Sequence, residues 1–151
     1  MKETGPYALP GKLEPDHARV LAYWVGLRRG EANMPFWDDL NLSALPDLAA
    51  KLMLLELAET PMRFRFGMVG DEIKSRYGAD LIGKFVDEIE VRAPLQYLKS
   101  QISATVESSA PTYYRHVSGK AARTRAPDAY SRLILPAWGD GQIRMLLGAV
   151  R

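Results

Sequence analysis

The sequence predicts an α+β domain. A five-stranded antiparallel sheet carries short helices and one long helix on one face and an N-terminal helix on the other. Three observations carry this. First, Met62, Phe64, Phe66 and Met68 alternate with the charged Arg63 and Arg65, the period-2 pattern of a strand with one face in a core. Second, two stretches place apolar residues at helical spacing: Val20, Leu21, Trp24 and Leu27 near the start, and Leu95, Leu98, Ile102 and Val106 in the middle. Third, Leu133-Ile134-Leu135 and Met145-Leu146-Leu147 do not alternate at all. An antiparallel sheet with one wet face would alternate, so both faces must be covered. The middle helices can cover one, and the Trp24 helix or a partner subunit the other.

In chain order, residues 1–13 hold Gly5, Pro6, Pro10 and Gly11 and read as a flexible or loosely attached arm. Residues 14–151 read as one domain, which suits a chain of 151 residues. Pro15-Asp16 opens the first helix, with Trp24 as its anchor, and Gly30 stops it. Glu31 to Leu42 reads as a connecting loop, followed by a one-turn helix near Ser43 or Pro46. Lys51 to Leu57 reads as the first strand of a hairpin, although its Leu, Met and Glu residues favour helix. After the alternating strand and Gly70, Asp71 is placed as the N-cap of a short helix ended by Gly78. Ala79 to Lys84 reads as a second short helical turn closed by glycine.

Pro94 suits the first turn of the long helix, whose polar Lys99, Gln101 and Glu107 are expected to point away from the apolar face. Thr112 to Val117 reads as the third strand and Ser118 to Asp128 as a loop. Ala129 to Trp138 reads as the fourth strand, with Pro136 marking an edge or a bulge. Gly139-Asp140-Gly141 turns the chain into the fifth, Ile143 to Val150.

Composition excludes several function classes. The absence of cysteine removes disulfides, thiolate catalysis and Cys-ligated metals together, and fits a cytoplasmic setting. Residues 1–10 carry no apolar run of the signal-peptide kind, and no stretch approaches the ~18 apolar residues of a membrane span. A net charge of +2 makes no case for nucleic acid. The two histidines, His17 and His116, have no partner at metal-ligand spacing. No G-x-S-x-G elbow and no phosphate loop occurs. Asp38-Asp39 and Asp87-Glu88 are adjacent pairs, whose members diverge instead of sharing a proton. Arg115, Lys120, Arg123 and Arg125 could hold an anion through guanidinium forks, but no aromatic residue is interleaved from Lys120 to Arg125 for stacking on single strands.

The run strand, glycine, short helix, Tyr77-Gly78, Leu81-Ile82-Gly83-Lys84 resembles the front half of a PAS domain, matched by Gly70, Tyr77, Gly78, Leu81, Ile82, Gly83 and Lys84. A PAS subgroup common in alphaproteobacteria is similar over more of the chain. Its upstream element is matched by Trp24, Leu27, Arg28, Gly30, Pro35 and Asp39, and its strand by Phe64, Arg65, Phe66 and Gly70. The resemblance runs from about His17 to Val150. It implies a bacterial sensory or regulatory domain without catalytic activity, which binds a small ligand or mediates protein–protein interaction in signal transduction. It also implies a homodimer paired through the N-terminal helix. With no kinase, cyclase or DNA-binding segment after the last strand, output would pass to an unknown signalling protein or through the dimer itself.

The ligand of such a fold lies between the sheet's inner face and the middle helices. The residues expected there are Phe64, Phe66, Tyr77, Phe85, Tyr97, Leu98, Ile102, Tyr114 and Met145, which would equally serve to fill a closed core. The hydroxyls of Tyr97 and Tyr114 would each need a partner if buried. The stretch Leu95 to Val106 has no histidine, which argues against haem, and the lack of cysteine excludes a cysteinyl-flavin; plain flavin stays open. The competing expectation is a small cone-shaped α+β enzyme with an acid-base pair in an enclosed cavity. It requires Asp39, Asp87 or His116 to line that cavity.

Overall fold

The computed structural model describes residues 7–59, 62–117 and 129–151. Five strands form one open antiparallel sheet in the order β2-β1-β5-β4-β3. They are β1 (Leu52–Glu59), β2 (Arg63–Val69), β3 (Thr112–His116), β4 (Tyr130–Gly139) and β5 (Gln142–Val150). The helices are α1 (Pro15–Gly26), α2 (Asp71–Tyr77) and α3 (Leu98–Ser108). One-turn 3-10 segments lie at Trp37–Asp39, Leu42–Ala44, Ala49–Lys51 and Val86–Glu88. The β4–β5 hairpin closes through Asp140 and Gly141, both at positive φ (56° and 79°), the two-residue turn whose twist matches antiparallel strands.

Alternation decides which side chains go to which face. Met53, Leu55, Phe64, Phe66, Ile134, Leu146 and Val150 point to the first face, where α2, α3 and the segment between them pack. Leu52, Leu133, Leu135, Leu147 and Ala149 point to the second, which is covered by Val20 and Trp24 of α1 and by Met34, Leu42, Leu45 and Leu48. Ile134, Leu146, Leu133, Leu135 and Leu147 are all fully buried. Both faces are therefore dry within one chain. Of the two expected covers for the far face, the Trp24 helix or a partner subunit, the chain's own α1 together with residues 34–48 supplies it.

The indole N–H of Trp24 fixes α1 by donating to the Pro136 carbonyl at 2.8 Å. Pro136 is not on an edge strand. It lies two residues past Ile134, the last β4 residue paired with β3, and just before a register irregularity at Ala137/Trp138. There Pro35 and Phe36 take the place of β3: Trp138 N–H donates to the Pro35 carbonyl, and Phe36 bridges Trp138. The edge strand β2 is partly covered in the same way. Gly83 N–H donates to the Phe66 carbonyl, and Phe66 N–H to the Lys84 carbonyl.

Four local expectations are corrected. Gly70, not Asp71, occupies the N-cap of α2, which ends at Gly78 with φ +93°. Residues 79–84 form turns and not a second short helix, because their backbone groups are used against β2. The long helix begins at Leu98, not at Pro94: Tyr97 stands before it at φ +62°, which no α-helical residue can adopt. Gln101 points into the protein and is fully buried. Of the arm, residues 1–6 lie outside the described residues; Tyr7 is buried and its hydroxyl donates to Ser100 Oγ at 2.7 Å.

Candidate functional site

The polar and aromatic groups of the first face converge where β3 and β4 run beneath the start of α3. Antiparallel pairing puts Tyr114 opposite Arg132 and His116 opposite Tyr130. Tyr114 is the hub. Its ring centre lies 5.6 Å from that of Tyr97, 6.0 Å from Tyr130, 6.0 Å from His116 and 6.1 Å from Tyr7. These separations lie in the range where tilted aromatic pairs attract. The Tyr114 hydroxyl is 2.8 Å from His116 Nδ1, and the His116 ring stacks on Tyr130 at 5.1 Å.

Arg132 lies under this cluster and is fully buried. Its Nε donates to Gln101 Oε1, and its two terminal nitrogens donate to the carbonyls of Pro94 and Gln96, each at 2.8 Å. The guanidinium carbon lies 5.1 Å from the Tyr114 ring centre and 5.9 Å from that of Tyr130. Among the described residues no carboxylate pairs with it. Carbonyl oxygens and ring faces hold the charge instead, the way a desolvated cation is accommodated without a counter-ion. Gln101 completes the network by donating to Thr112 Oγ1 and to the Arg132 carbonyl. The Tyr130 hydroxyl donates to Gln96 Oε1 and accepts from Gln96 N–H.

Burial, reinforced by the Tyr130 hydroxyl, pushes the Tyr114 hydroxyl up to about 12. Burial also raises Tyr130 and pulls Arg132 down to about 10, against the opposing pull of the tyrosines. At neutral pH Tyr114 and Tyr130 are thus neutral phenols over one charged guanidinium. Tyr97 is the open side of the cluster: the residue is 60% exposed, and its backbone is held in the left-handed region.

The expected ligand-lining residues are distributed over four places. Tyr97 and Tyr114 belong to the cluster. Phe66, Tyr77 and Leu98 are buried in the filled core, where the Tyr77 hydroxyl donates to the Glu90 carbonyl. Phe64 and Ile102 line, with Val86, Asp87, Lys99 and Arg63, a recess of about 110 Å³ between β2 and α3. Phe85 lies beneath the Arg63 guanidinium, whose carbon is 3.7 Å from its ring centre. Met145 is on the other face, in phase with Leu147 and opposite Glu56, against Trp37 and Arg144. The expectation that it faces the helices is corrected, because the pairing with β1 sets the phase of β5.

The acid-base candidates do not gather in a cavity. Asp39 is paired with Arg29, and Asp87, which lines the small recess, with Arg63. His116 is part of the aromatic cluster, and His17 is buried on the second face with Nε2 2.9 Å from Ser131 Oγ. Among the described residues no group of three or more His, Asp or Glu could hold a metal ion. Among them, too, no helix is long and apolar enough to cross a membrane. Of the expected basic group, Arg115 is exposed on β3; Lys120, Arg123 and Arg125 lie outside the described residues.

Three residues of this network were not singled out from the sequence: Arg132, Gln101 and Tyr7. For Arg132 a signal existed, since an arginine two residues from Ile134, in a strand apolar on both faces, must be buried on one of them. Gln101 and Tyr7 carry no such local signal. Comparison of the chain with protein-family models gives no match, and comparison with curated proteins gives none.

Proposed function

We propose that this chain is a PAS-type sensory module without catalytic activity, which binds a small ligand at the Tyr114 cluster and passes the change on to a signalling partner. The sheet with mid-chain helices on one face and the N-terminal helix on the other is compatible with that architecture. The single observation that carries the reading is the convergence of Tyr97, Tyr114, His116 and Tyr130 over a buried guanidinium that has no carboxylate. Apolar walls with a few placed polar groups are what small-molecule sites require. An exposed aromatic side chain on a left-handed backbone is the kind of local strain that accumulates at such sites. The engagement of Asp39 and Asp87 in surface ion pairs speaks for binding over acid-base catalysis.

Native mass spectrometry tests the proposal. The purified protein is incubated with the small-molecule fraction of a bacterial extract. A bound species of fixed mass is expected, and its loss in Tyr114→Ala. If no species binds, or if it binds Tyr114→Ala equally well, the ligand-binding reading is withdrawn.

A further inference from the structure

Among the described residues of the arm, Tyr7 is buried while those that follow it are not. Tyr7 is 8% exposed, while Ala8, Leu9, Pro10 and Gly11 are all exposed. The ring packs 6.1 Å from Tyr114, and the hydroxyl donates to Ser100 Oγ on the first turn of α3 at 2.7 Å. Seven residues later Glu14 is on the opposite face, where its carboxylate accepts from Tyr113 and Ser131. Tyr113 and Tyr114 are adjacent residues of the edge strand β3, so the arm passes from one face of the sheet to the other beside it. Among the described residues of the arm, Tyr7 is the one whose ring fills a place on the first face.

A phenol held by ring contact at one end and by a serine hydroxyl at the other is a bound ligand in all but its tether. We propose that the Tyr114–Ser100 seat is a binding site for small phenolic molecules, occupied here by the chain's own Tyr7. A free phenol would have to displace Tyr7, and displacement would release the arm ahead of α1. The inference rests on the ligand-binding reading above and names its ligand class and its built-in competitor. A tethered competitor acts at a high effective concentration, in the millimolar range for short links. Free phenols should therefore bind weakly to the native chain and much more tightly once Tyr7 is gone.

The test uses p-cresol, a tyrosine side chain without its backbone, and toluene, the same ring without the hydroxyl. Binding is read as ligand-induced stabilisation in thermal melts of the full chain and of Tyr7→Ala. Tyr7→Ala is expected to melt several degrees lower and to be restored by p-cresol. Its half-saturating concentration should be at least tenfold below that of the native chain, with toluene clearly weaker. Equal p-cresol affinity for the two proteins, or equal effects of toluene and p-cresol, overturns the proposal. Tyr7→Phe keeps the fold if Tyr7→Ala does not. It loses only the Ser100 hydrogen bond and should fall between the two; a Tyr7→Phe affinity for p-cresol no better than the native chain's also overturns it.

In the native chain, p-cresol should speed tryptic cleavage after the exposed Lys12, and an unchanged rate counts against displacement. These outcomes are separate from the extract experiment. A seat that fails leaves a Tyr114-dependent adduct standing, and a p-cresol site without any such adduct leaves a seat but no sensor.

Discussion

Arg132 and Tyr114 face each other across the β3–β4 ladder, with the guanidinium carbon 5.1 Å from the ring centre and the cation fully buried. The ring cannot neutralise the charge, so the three oxygens of Pro94, Gln96 and Gln101 carry most of the work. The reverse dependence is stronger. Without Arg132 those buried acceptors lose their donors together, and each orphaned group costs about 1–3 kcal/mol. Arg132→Met is expected to destabilise the fold by at least about 3 kcal/mol, and Arg132→Lys by less, because an ammonium keeps the charge but cannot reach three acceptors in a plane. Urea titrations give the answer. A loss under about 1 kcal/mol for Arg132→Met, at unchanged slope, would show that the network is not structural.

The elements that depend on local pattern were legible and those that depend on distant partners were not. The alternation of β2 and the Gly78 helix stop could be read directly, because period and backbone freedom are properties of adjacent residues. From Met145 to Leu147 β5 is apolar on both faces, so that run does not say which face Met145 takes; the pairing of Glu56 with Met145 decides it. Gln101 has the polarity of a surface residue and is buried only because Arg132 and Thr112 satisfy it. Tyr7 lies in a stretch whose glycines and prolines read as loop, and its anchor on Ser100 comes from the far side of the chain.

His17 makes stability depend on pH. It is buried, Nε2 faces Ser131 Oγ, and Nδ1 has no hydrogen-bond partner. Burial lowers its pKa from the ordinary 6.5; Arg151 adds to this, while Glu14 and Asp16 oppose it. The unfolded chain thus takes up a proton that the folded chain resists. Stability is fully present above pH 6.5 and declines as pH falls from there toward the folded value, by at most about 1.4 kcal/mol per pH unit for one proton. Glu14 acts lower down. Burial raises its pKa, but hydrogen bonds from Ser131 and Tyr113 and the neighbouring His17 bring it below 4.5, so its contribution is lost only as pH falls through that lowered value. Urea midpoints between pH 8 and 5 should decline for the native chain and stay flat for His17→Gln. A decline of the same size in both would place the titrating group elsewhere.

Trp24 holds the second face shut. Its indole is buried among Val20, Leu133 and Leu135 and donates to the carbonyl of Pro136. Trp24→Phe keeps most of the apolar area and loses the hydrogen bond, for an expected cost of about 1–2 kcal/mol. Trp24→Ala removes the anchor, with about 3–5 kcal/mol expected for a buried tryptophan. It should also loosen α1 from leucines that are fully buried in the native chain. Exposed apolar surface of that extent favours association, so dye binding and a rise in apparent mass in light scattering are expected for Trp24→Ala only. A monomeric Trp24→Ala that binds no dye would mean that residues 34–48 cover the face unaided.

Tyr97 separates binding from stability. Its backbone is held at φ +62°, which costs a bulky residue about 1–3 kcal/mol, and its ring returns about 0.5–1.5 kcal/mol through contact with Tyr114. Asparagine tolerates the left-handed region far better. In Tyr97→Asn the relief of strain and the loss of ring contact offset each other, so the urea midpoint should stay close to the native value. The residue, 60% exposed, is available to whatever occupies the cluster. In the Tyr7→Ala background, Tyr97→Asn should therefore weaken p-cresol binding several-fold at nearly constant stability. Destabilisation by more than about 2 kcal/mol with unchanged p-cresol affinity would make Tyr97 a packing residue, and the strained backbone before α3 would then serve the fold alone.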